Sequence, residues 1–221
     1  MLRVCGAVFV VGVLFAGSEK CSANLVGGVT ATATSEIFSG PFDRQASNAV
    51  NGSIDIAEGG YWQSAGIGFG FGEDRDPEIT FDLNATYSLN SMRIWNSPDP
   101  PNSIRRTDVQ ISTDGINFTS IGEQTFDLFF ATTNPPVIPP QDFQLNGAIA
   151  RYVRFDVLES GDGTMFPFEV GLPSGTGTVG IAEVQFFSNG TAIPEASSFL
   201  SIAVVSLCCM LARRSRSAAS A

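Results

Sequence analysis

The sequence of 221 residues contains no histidine, and this absence removes much of the chemistry that enzymes use. Serine and cysteine hydrolase triads, histidine-ligated zinc and haem with a histidine ligand all need an imidazole to carry a proton or to bind the metal. Two classes of protein remain: one that binds a partner without transforming it, and an enzyme that works with carboxylates.

Basic residues are also scarce. The chain has 12 lysines and arginines against 22 acidic residues, which gives a formal net charge of −10. Binding to nucleic acid is driven mainly by clustered Lys and Arg side chains that release counterions from the phosphates. The composition therefore predicts no nucleic-acid partner.

The N-terminus has the pattern of a secretory signal peptide. Arg3 precedes an uncharged run at residues 4–18, VCGAVFVVGVLFAGS, and small residues follow at Cys21-Ser22-Ala23. A basic start, an apolar run and a small-residue cleavage site are the three parts of such a peptide. We expect residues 1–23 to be a signal peptide that is cleaved near Ala23.

The C-terminus has the pattern of a membrane anchor. Residues 196–212 carry no charge over 17 positions, and three arginines follow within residues 213–216. This length is the short end of the range of about 17 to 25 residues for a transmembrane helix, and the arginines would stay on the cytoplasmic side. A glycosylphosphatidylinositol signal is the rival interpretation, but such tails end in apolar residues.

Pro194-Glu195-Ala196 stands immediately before this apolar segment. With the arginines behind it, the whole of residues 193–221 resembles the PEP-CTERM sorting signal of bacteria that make exopolysaccharide, with Ala196 in place of the second proline. The resemblance implies that the exported protein is held in the inner membrane until an exosortase processes it. The protein would then reach the cell surface or the extracellular matrix.

The segment between the two ends, residues 24–192, contains no cysteine, since Cys5, Cys21, Cys208 and Cys209 all lie outside it. Disulfides and thiol chemistry are therefore excluded there, and a segment of this length can bury a core without them. It holds 20 acidic residues and seven arginines, a net charge of −13. We expect neutral glycans or cations as its ligands, and anionic polymers only where calcium bridges them.

Apolar and polar residues alternate through much of this segment, which is typical of half-buried β-strands. No window predicts an amphipathic helix of ten or more residues, and Asp114-Gly115 predicts a hairpin turn. Long loops rich in Gly and Pro separate the strands, at residues 66–76, 97–105, 127–141 and 159–178. The sequence predicts an antiparallel β-sandwich of about eight strands with any binding residues on its loops. The alternating stretches are EITFDL at 78–83, SMRIW at 91–95, TDVQIS at 107–112 and RYVRFDV at 151–157.

Several segments in order carry a family resemblance: ASNAVNGSIDIAEGGYWQS at 46–64, EITFDLNATYSLNSMRIWN at 78–96, TDVQISTDGINFTSIG at 107–122, and ARYVRFDV at 150–157 with VGIAEVQFF at 179–187. Together they resemble a discoidin domain, the coagulation-factor C-type or galactose-binding-like jelly roll. This fold also serves as a carbohydrate-binding module. The resemblance implies an all-β jelly-roll sandwich that binds carbohydrate through loops at one end.

The same resemblance implies one structural calcium ion between a loop and the start of the last strand. Calcium takes six to eight hard oxygen ligands, which loops supply from carbonyls and carboxylates. Asn51 stands where the family usually has Asp, and the lost charge should weaken the site. The alternative is that the acidic groups only cap loop ends. The implied ligands are the carbonyls of Ala49, Ser53 and Ala182, the side chain of Asn51, the carboxylate or carbonyl of Asp55, and the carboxylate of Glu183.

For the glycan itself, the resemblance implies contacts from Asn96, Arg105, and Phe166 or Phe168. Sugars are bound by an aromatic face and by a few planar hydrogen-bonding side chains in a preformed pocket. The alternative for the phenylalanines is that they fold down as plugs over the end of the sandwich. Family members that bind galactose-like sugars often use a histidine, which this chain lacks.

Three functions follow in order of preference. The first is an exported, non-enzymatic carbohydrate-binding module of the bacterial cell envelope, and the second is a structural matrix or adhesion component without a small ligand. The third is a glycoside hydrolase that uses carboxylates. The acidic run at residues 73–78 is the candidate for that third function, but it is more typical of a solvated surface or a weak cation site.

Overall fold

The computed structural model describes residues 23–39, 42–54, 60–66, 74–130, 137–167 and 177–193. The predicted signal peptide, apart from Ala23, and the predicted sorting segment, apart from Ile193, lie outside these ranges. Two short 3-10 turns, Ala46–Val50 and Pro100–Asn102, are the only helical elements in the described part of the chain. None of the described helical segments is long or apolar enough to span a membrane.

All other regular structure in these ranges is β. Eight of the strands form one continuous antiparallel sheet, and two, β3 and β4, form a separate hairpin. The strands are β1 (Asn24–Leu25), β2 (Thr30–Ala33), β3 (Ile37–Ser39), β4 (Phe42–Arg44), β5 (Trp62–Gln63), β6 (Glu78–Asn96), β7 (Ile104–Ser112), β8 (Thr119–Thr125), β9 (Gln141–Ser160) and β10 (Gly180–Ser188).

Two long strands, β6 and β9, are paired with each other along most of their length. Residues 78–82 of β6 pair with 152–156 of β9, and residues 87–94 pair with 141–150, with a shift of register between the two stretches. Asn84 on β6 has a positive φ of 63° at this shift. Asn146 (52°) and Gly147 (79°) on β9 have positive φ at a second shift, between Leu89 and Ser91 of β6. Asn and Gly are the residues that adopt this region most readily. The ladder is therefore interrupted at two successive levels, first on β6 and then on β9, which lets the pair bend.

The bend divides the sheet into two layers. The first half of β6 and the second half of β9 pair with β2 and β7, and β8 extends this layer beyond β7. The second half of β6 pairs instead with β10, which also carries β1 and β5. The result is the all-β, sandwich-like antiparallel fold that the sequence predicts.

The core between the layers is built from the alternating apolar residues. Of those in the four stretches named above, only Ile111 is half-buried; the others on the apolar side are fully buried. Phenylalanines from several strands join the layers by edge-to-face contacts. Phe81 of β6 lies 5.2 Å from Phe155 of β9 and 5.4 Å from Phe186 of β10, between ring centroids. Trp62 is also fully buried, whereas Trp95 is half-buried.

The hairpin predicted at Asp114-Gly115 joins β7 to β8. Gly115 has the expected positive φ of 74°, but β8 begins only at Thr119, so the connection is longer than a two-residue turn. The Asp114 carboxylate accepts hydrogen bonds from the N–H groups of Ile116 and Asn117, which therefore are not available to the ladder. These bonds hold the pKa of Asp114 well below its usual range.

Candidate functional site

The loops that follow β6, β9 and β5 converge at one end of the sandwich. The Gly161 N–H donates to the Ser103 carbonyl at 2.8 Å, and a Cβ at Gly161 would overlap the carbonyl of Pro100. A Cβ at Gly180 would likewise lie 2.6 Å from the carbonyl oxygen of Trp62. Glycine is therefore required at both places for the backbones to approach each other.

Asn96, one of the residues implied to bind the ligand, lies inside this end rather than on its surface. It is fully buried. Its Nδ2 donates to the carbonyls of Ile104 (2.7 Å) and Asp127 (3.3 Å), and its Oδ1 accepts from the N–H groups of Ser97 (2.9 Å) and Ile104 (3.2 Å). The amide thus fastens three pieces of backbone together, and in this structure it offers no surface to a sugar.

The other three implied contacts fall in different places. Phe166 is only 6% exposed and packs into the main core, which fits the alternative of a plug over the sandwich end. Phe168 lies outside the described residues. Arg105 alone is solvent-exposed, and its Nε lies 3.5 Å from the Glu159 carboxylate. Among the three described residues of the set, Arg105 is the accessible one.

A polar cluster occupies the same end of the sandwich, and no sequence pattern indicated it. It consists of Arg44, Tyr61, Asp99 and Asn102, and we call it the end cluster. The Arg44 guanidinium carbon lies 3.9 Å from the centroid of the Tyr61 ring. Burial lowers the pKa of Arg44, and the nearby Asp99 carboxylate raises it. Asn102 Nδ2 donates to Asp99 Oδ2 at 2.6 Å, and Asn102 Oδ1 accepts from the hydroxyl of Thr178.

The end cluster stands on a rigid base. Tyr61 is 5% exposed and packs with Ile138, Ala182 and the half-buried Trp95, and its hydroxyl lies 3.5 Å from Gln63 Oε1. A planar guanidinium is therefore held over an aromatic ring, with a carboxylate and an amide beside it. Such an arrangement can donate to and accept from neighbouring hydroxyl groups without having to be ordered first.

The described residues implied to hold calcium lie on two neighbouring segments, the loop after the first 3-10 turn and the start of β10. Ala49 is buried in the 3-10 turn, and the following Asn51 accepts the Ser53 N–H on its Oδ1 at 2.7 Å. The Gly52 N–H donates to Glu183 Oε2 at 3.2 Å, which joins this loop to the start of β10. Ala182 and Glu183 lie where the register of β10 shifts against β6. Asp55 lies outside the described residues.

Glu183 is an unusual carboxylic acid because it is only 3% exposed. Burial raises its pKa to about 7, although N–H groups of Gly52 and Asn51 and the side chain of Gln185 act in the opposite direction. Among the described residues no arginine forms an ion pair with it. A cavity of about 230 Å³ lies beside the carboxylate and is bordered by the β1–β2 connection.

This donor set fits a hard cation. It offers a buried carboxylate without a charged partner, an amide oxygen and loop carbonyls, and oxygen donors of this kind are the ones that calcium takes. The part of the chain that the structure describes has no group of three or more His, Cys, Asp or Glu side chains placed to hold a metal. A cation here would therefore depend on backbone carbonyls and Asn51 as much as on carboxylates.

The acidic loop considered for hydrolysis has other partners. Asp74 accepts hydrogen bonds from the hydroxyls of Thr34, at 2.6 Å, and Ser35. Glu78 lies 3.1 Å from Arg154 on the neighbouring strand β9. These carboxylates tie the loop and β6 to their surroundings, and the contacts single out no acid and base with separate roles.

We predict that Glu183 makes stability fall with rising pH when calcium is absent. Its folded-state pKa lies above the unfolded value, so the native state binds the proton more tightly between about pH 4.5 and 7. The stabilisation that protonated Glu183 provides is therefore fully present below about pH 4.5 and is lost above about pH 7. The free energy of unfolding falls by up to about 3 kcal/mol across this window. Denaturant unfolding in chelator should show the fall for the wild type but not for Glu183→Gln. Parallel pH profiles for the two proteins would contradict the prediction.

Comparison with known proteins supports the fold. The chain is similar to CpGH89CBM32-5 of Clostridium perfringens, solved in complex with GalNAc-β-1,3-galactose, with 24% identity, a TM-score of 0.55, and coverage of 76% of this chain and 100% of that one. It is also similar to the family 32 carbohydrate-binding module of NanJ from C. perfringens in complex with galactose, with 17% identity, a TM-score of 0.51, and coverage of 75% and 98%.

A third similar structure is a family 89 glycoside hydrolase from C. perfringens, with 23% identity and a TM-score of 0.51. That match covers 77% of this chain but 15% of the enzyme, so the likeness extends over a small part of it. No curated protein matches the chain. The model of the F5/8 type C domain matches residues 30–168, which is more than half of the sequence. The chain therefore belongs to the F5/8 type C, or discoidin, family.

Proposed function

We propose that this protein is an exported, non-enzymatic carbohydrate-binding module that holds its glycan at the loop end of the sandwich. Family membership and a fold shared with carbohydrate-binding modules support this function. The observation that carries it is the stacking of Arg44 on Tyr61, with Asp99 and Asn102 alongside.

The end cluster recognises hydroxyl groups through planar side chains held in fixed positions. Arg44 presents N–H donors in one plane, and the Asp99 carboxylate presents acceptors. The bond from Asn102 fixes the orientation of that carboxylate, and Thr178 fixes the amide in turn. Because Tyr61 and its apolar neighbours form a buried base, little side-chain entropy is lost when a sugar binds.

The ligand class is a neutral glycan with galactose-type units. Two of the similar structures hold galactose or a galactose-containing disaccharide. The net charge of −13 over residues 24–192 disfavours an anionic polymer. Recognition would proceed without the histidine that is common in the family, so the guanidinium of Arg44 takes the place of an imidazole as the fixed donor.

We predict that Arg44→Gln and Asp99→Asn each weaken glycan binding about tenfold or more, because a charge-assisted hydrogen bond contributes about 1.5–3 kcal/mol. The measurement is a glycan array with the full-length protein, followed by titration of the best ligand. The comparison variant is Arg105→Gln, which removes the exposed arginine that the family resemblance implies as a contact and so tests the rival position outside the end cluster.

Loss of binding only in Arg105→Gln would place the site around Arg105 and contradict the assignment to the end cluster. Silence of the wild type on the array, and against the host's own exopolysaccharide, would favour the structural matrix role. Turnover of a glycoside that one Asp or Glu substitution abolishes would make the protein a hydrolase.

We also propose one structural calcium ion, held by the Glu183 carboxylate, the Asn51 side chain, and the carbonyls of Ala49, Ser53 and Ala182. Asp55 is the sixth proposed ligand. The buried carboxylate and its contact with the Gly52 N–H support this placement. When bound, calcium would compensate the negative charge of Glu183. The residues themselves join the loop after the 3-10 turn to β10 and so brace the fold.

We predict that calcium raises the melting temperature of the full-length protein above its value in chelator. At a calcium concentration 100 times the dissociation constant the gain is about 2.7 kcal/mol, which corresponds to roughly 5–10 °C for a domain of this size. Glu183→Gln should remove most of the shift, and Glu123→Gln on the exposed strand β8 serves as the control. An unchanged wild-type midpoint would contradict the calcium proposal.

For localisation, we propose that residues 1–23 direct export and that residues 193–221 hold the protein in the inner membrane until an exosortase processes it. The apolar run, the Pro-Glu-Ala sequence and the terminal arginines support this route. The working domain would then be displayed at the cell surface or released into an exopolysaccharide matrix.

We predict that deletion of residues 194–221 moves the exported protein from the membrane fraction to the soluble fraction, because the only apolar segment long enough to anchor its C-terminal end is removed. Fractionation and immunoblotting of both forms check this outcome. A truncated protein that stays with the membrane would contradict the anchor.

A further inference from the structure

The outer face of the second layer carries a regular grid of side chains on three neighbouring strands. The register places Gln185 of β10, Arg93 of β6 and Asp142 of β9 in one row. The next row on the same face holds Phe187, Ser91 and Gln144. The intervening residues Met92 and Ile94 point into the core, so Ser91 and Arg93 face outwards. We call Ser91, Arg93, Asp142, Gln144 and Phe187 the face patch.

The face patch contains a depression because its central residue is small. Ser91 lies between the larger side chains of Phe187 and Gln144, and the row of Arg93 and Asp142 closes one side. The cavity measures about 290 Å³, close to the lower limit of about 300 Å³ for small-molecule sites. Neighbouring strands lie about 4.8 Å apart, so three strands span about 10 Å, enough for one sugar ring. The lining residues are Ala23, Ser91, Arg93, Asp142, Gln144 and Phe187.

The charges of this depression cancel. Arg93 Nε lies 2.6 Å from Asp142 Oδ1, and Nη2 lies 2.9 Å from Oδ2, a two-bond pairing of guanidinium and carboxylate. The pairing raises the pKa of Arg93 and lowers the pKa of Asp142, so both groups stay ionised near neutral pH. The pair still has donors on Nη1 and acceptor lone pairs on the carboxylate, and both side chains are more than one third exposed.

The remaining groups complete a surface suited to hydroxyls and a sugar face. Gln144 has an exposed amide that donates and accepts, and Ser91 has a hydroxyl at the floor. The half-buried ring of Phe187 supplies an apolar wall, with the Arg93 guanidinium carbon 5.7 Å from its centroid. An anion would have to compete with Asp142 for Arg93, and a cation with Arg93 for Asp142. A neutral, hydroxyl-rich ligand needs neither exchange.

We propose that the face patch is a second glycan-binding site, which takes one neutral sugar unit of a longer chain. The face patch lies on the sheet face, whereas the end cluster lies at the loop end of the sandwich. This second proposal rests on the proposed function only for the class of ligand. Two sites on one module allow a polymer to be held at two points, which increases the overall affinity without new contacts at either site.

The test uses affinity electrophoresis of the full-length protein through gels that contain galactomannan, a neutral polymer with galactose side units. Ser91→Trp fills the depression and should weaken retardation about tenfold or more, and Gln144→Ala should weaken it about threefold. Gln124→Ala, on the exposed strand β8, is the matched control and should bind as the wild type does. Arg44→Gln combined with Ser91→Trp should abolish retardation. Thermal melts establish whether each variant is folded. If Ser91→Trp does not fold, the result for Gln144→Ala decides whether the face patch binds.

The outcomes separate the two sites. Normal retardation of Ser91→Trp and Gln144→Ala, with loss in Arg44→Gln, would overturn the face site and leave the end cluster standing. Loss in the face-patch variants with normal binding by Arg44→Gln would support the face site and overturn the end cluster. A wild type that no neutral glycan retards would overturn both. Stronger retardation by alginate, an anionic polymer, than by galactomannan would overturn the assignment of a neutral ligand.

Discussion

The pairing of β6 with β9 is the interaction on which the rest of the structure depends. Both strands cross from one layer to the other, so a single antiparallel ladder contributes to both layers. The bend is accompanied by two successive interruptions of the ladder, which Asn84 on one strand and Asn146-Gly147 on the other provide through positive φ. The same strands end at Asn96 and Ser160, and the loops that follow them converge near the end cluster.

Much of the fold could be predicted because the strands obey a local rule. Alternation with a period of two marks residues such as Phe81 and Phe155, and it follows directly from the half-buried surface of a sheet. The continuity of β6 could not be predicted, because its middle, NATYSLN at 84–90, is largely polar and does not alternate. The pairing of this stretch with β9 is a long-range property that no local pattern encodes.

The candidate sites differ in how many of their residues could be predicted from the sequence. The resemblance implied calcium ligands in the loop at Asn51 and Ser53 and at Glu183, and the Gly52 N–H of that loop donates to the Glu183 carboxylate. A family pattern can link such distant positions, whereas local patterning cannot. The same resemblance implied that Asn96 contacts the ligand. In the structure, the Asn96 side-chain amide instead forms hydrogen bonds with four backbone groups. The contact of Arg44 with Tyr61 had no sequence signal, because the two residues are 17 positions apart and belong to no recognisable motif.

The acidity of the domain determines what its arginines can do. Arg93, Arg105, Arg106, Arg151 and Arg154 each lie within ion-pair distance of a carboxylate. The most exposed of these pairs, Arg93 with Asp142, contributes only about 0–1 kcal/mol to stability, whereas Arg151 and Arg154 are half-buried with their partners. For the proposed binding we expect a larger effect, because an approaching ligand meets guanidinium and carboxylate side by side instead of an isolated positive charge. We expect such a surface to favour hydroxyl groups over phosphates, sulfates or uronates, in agreement with the neutral glycan that we propose as the ligand.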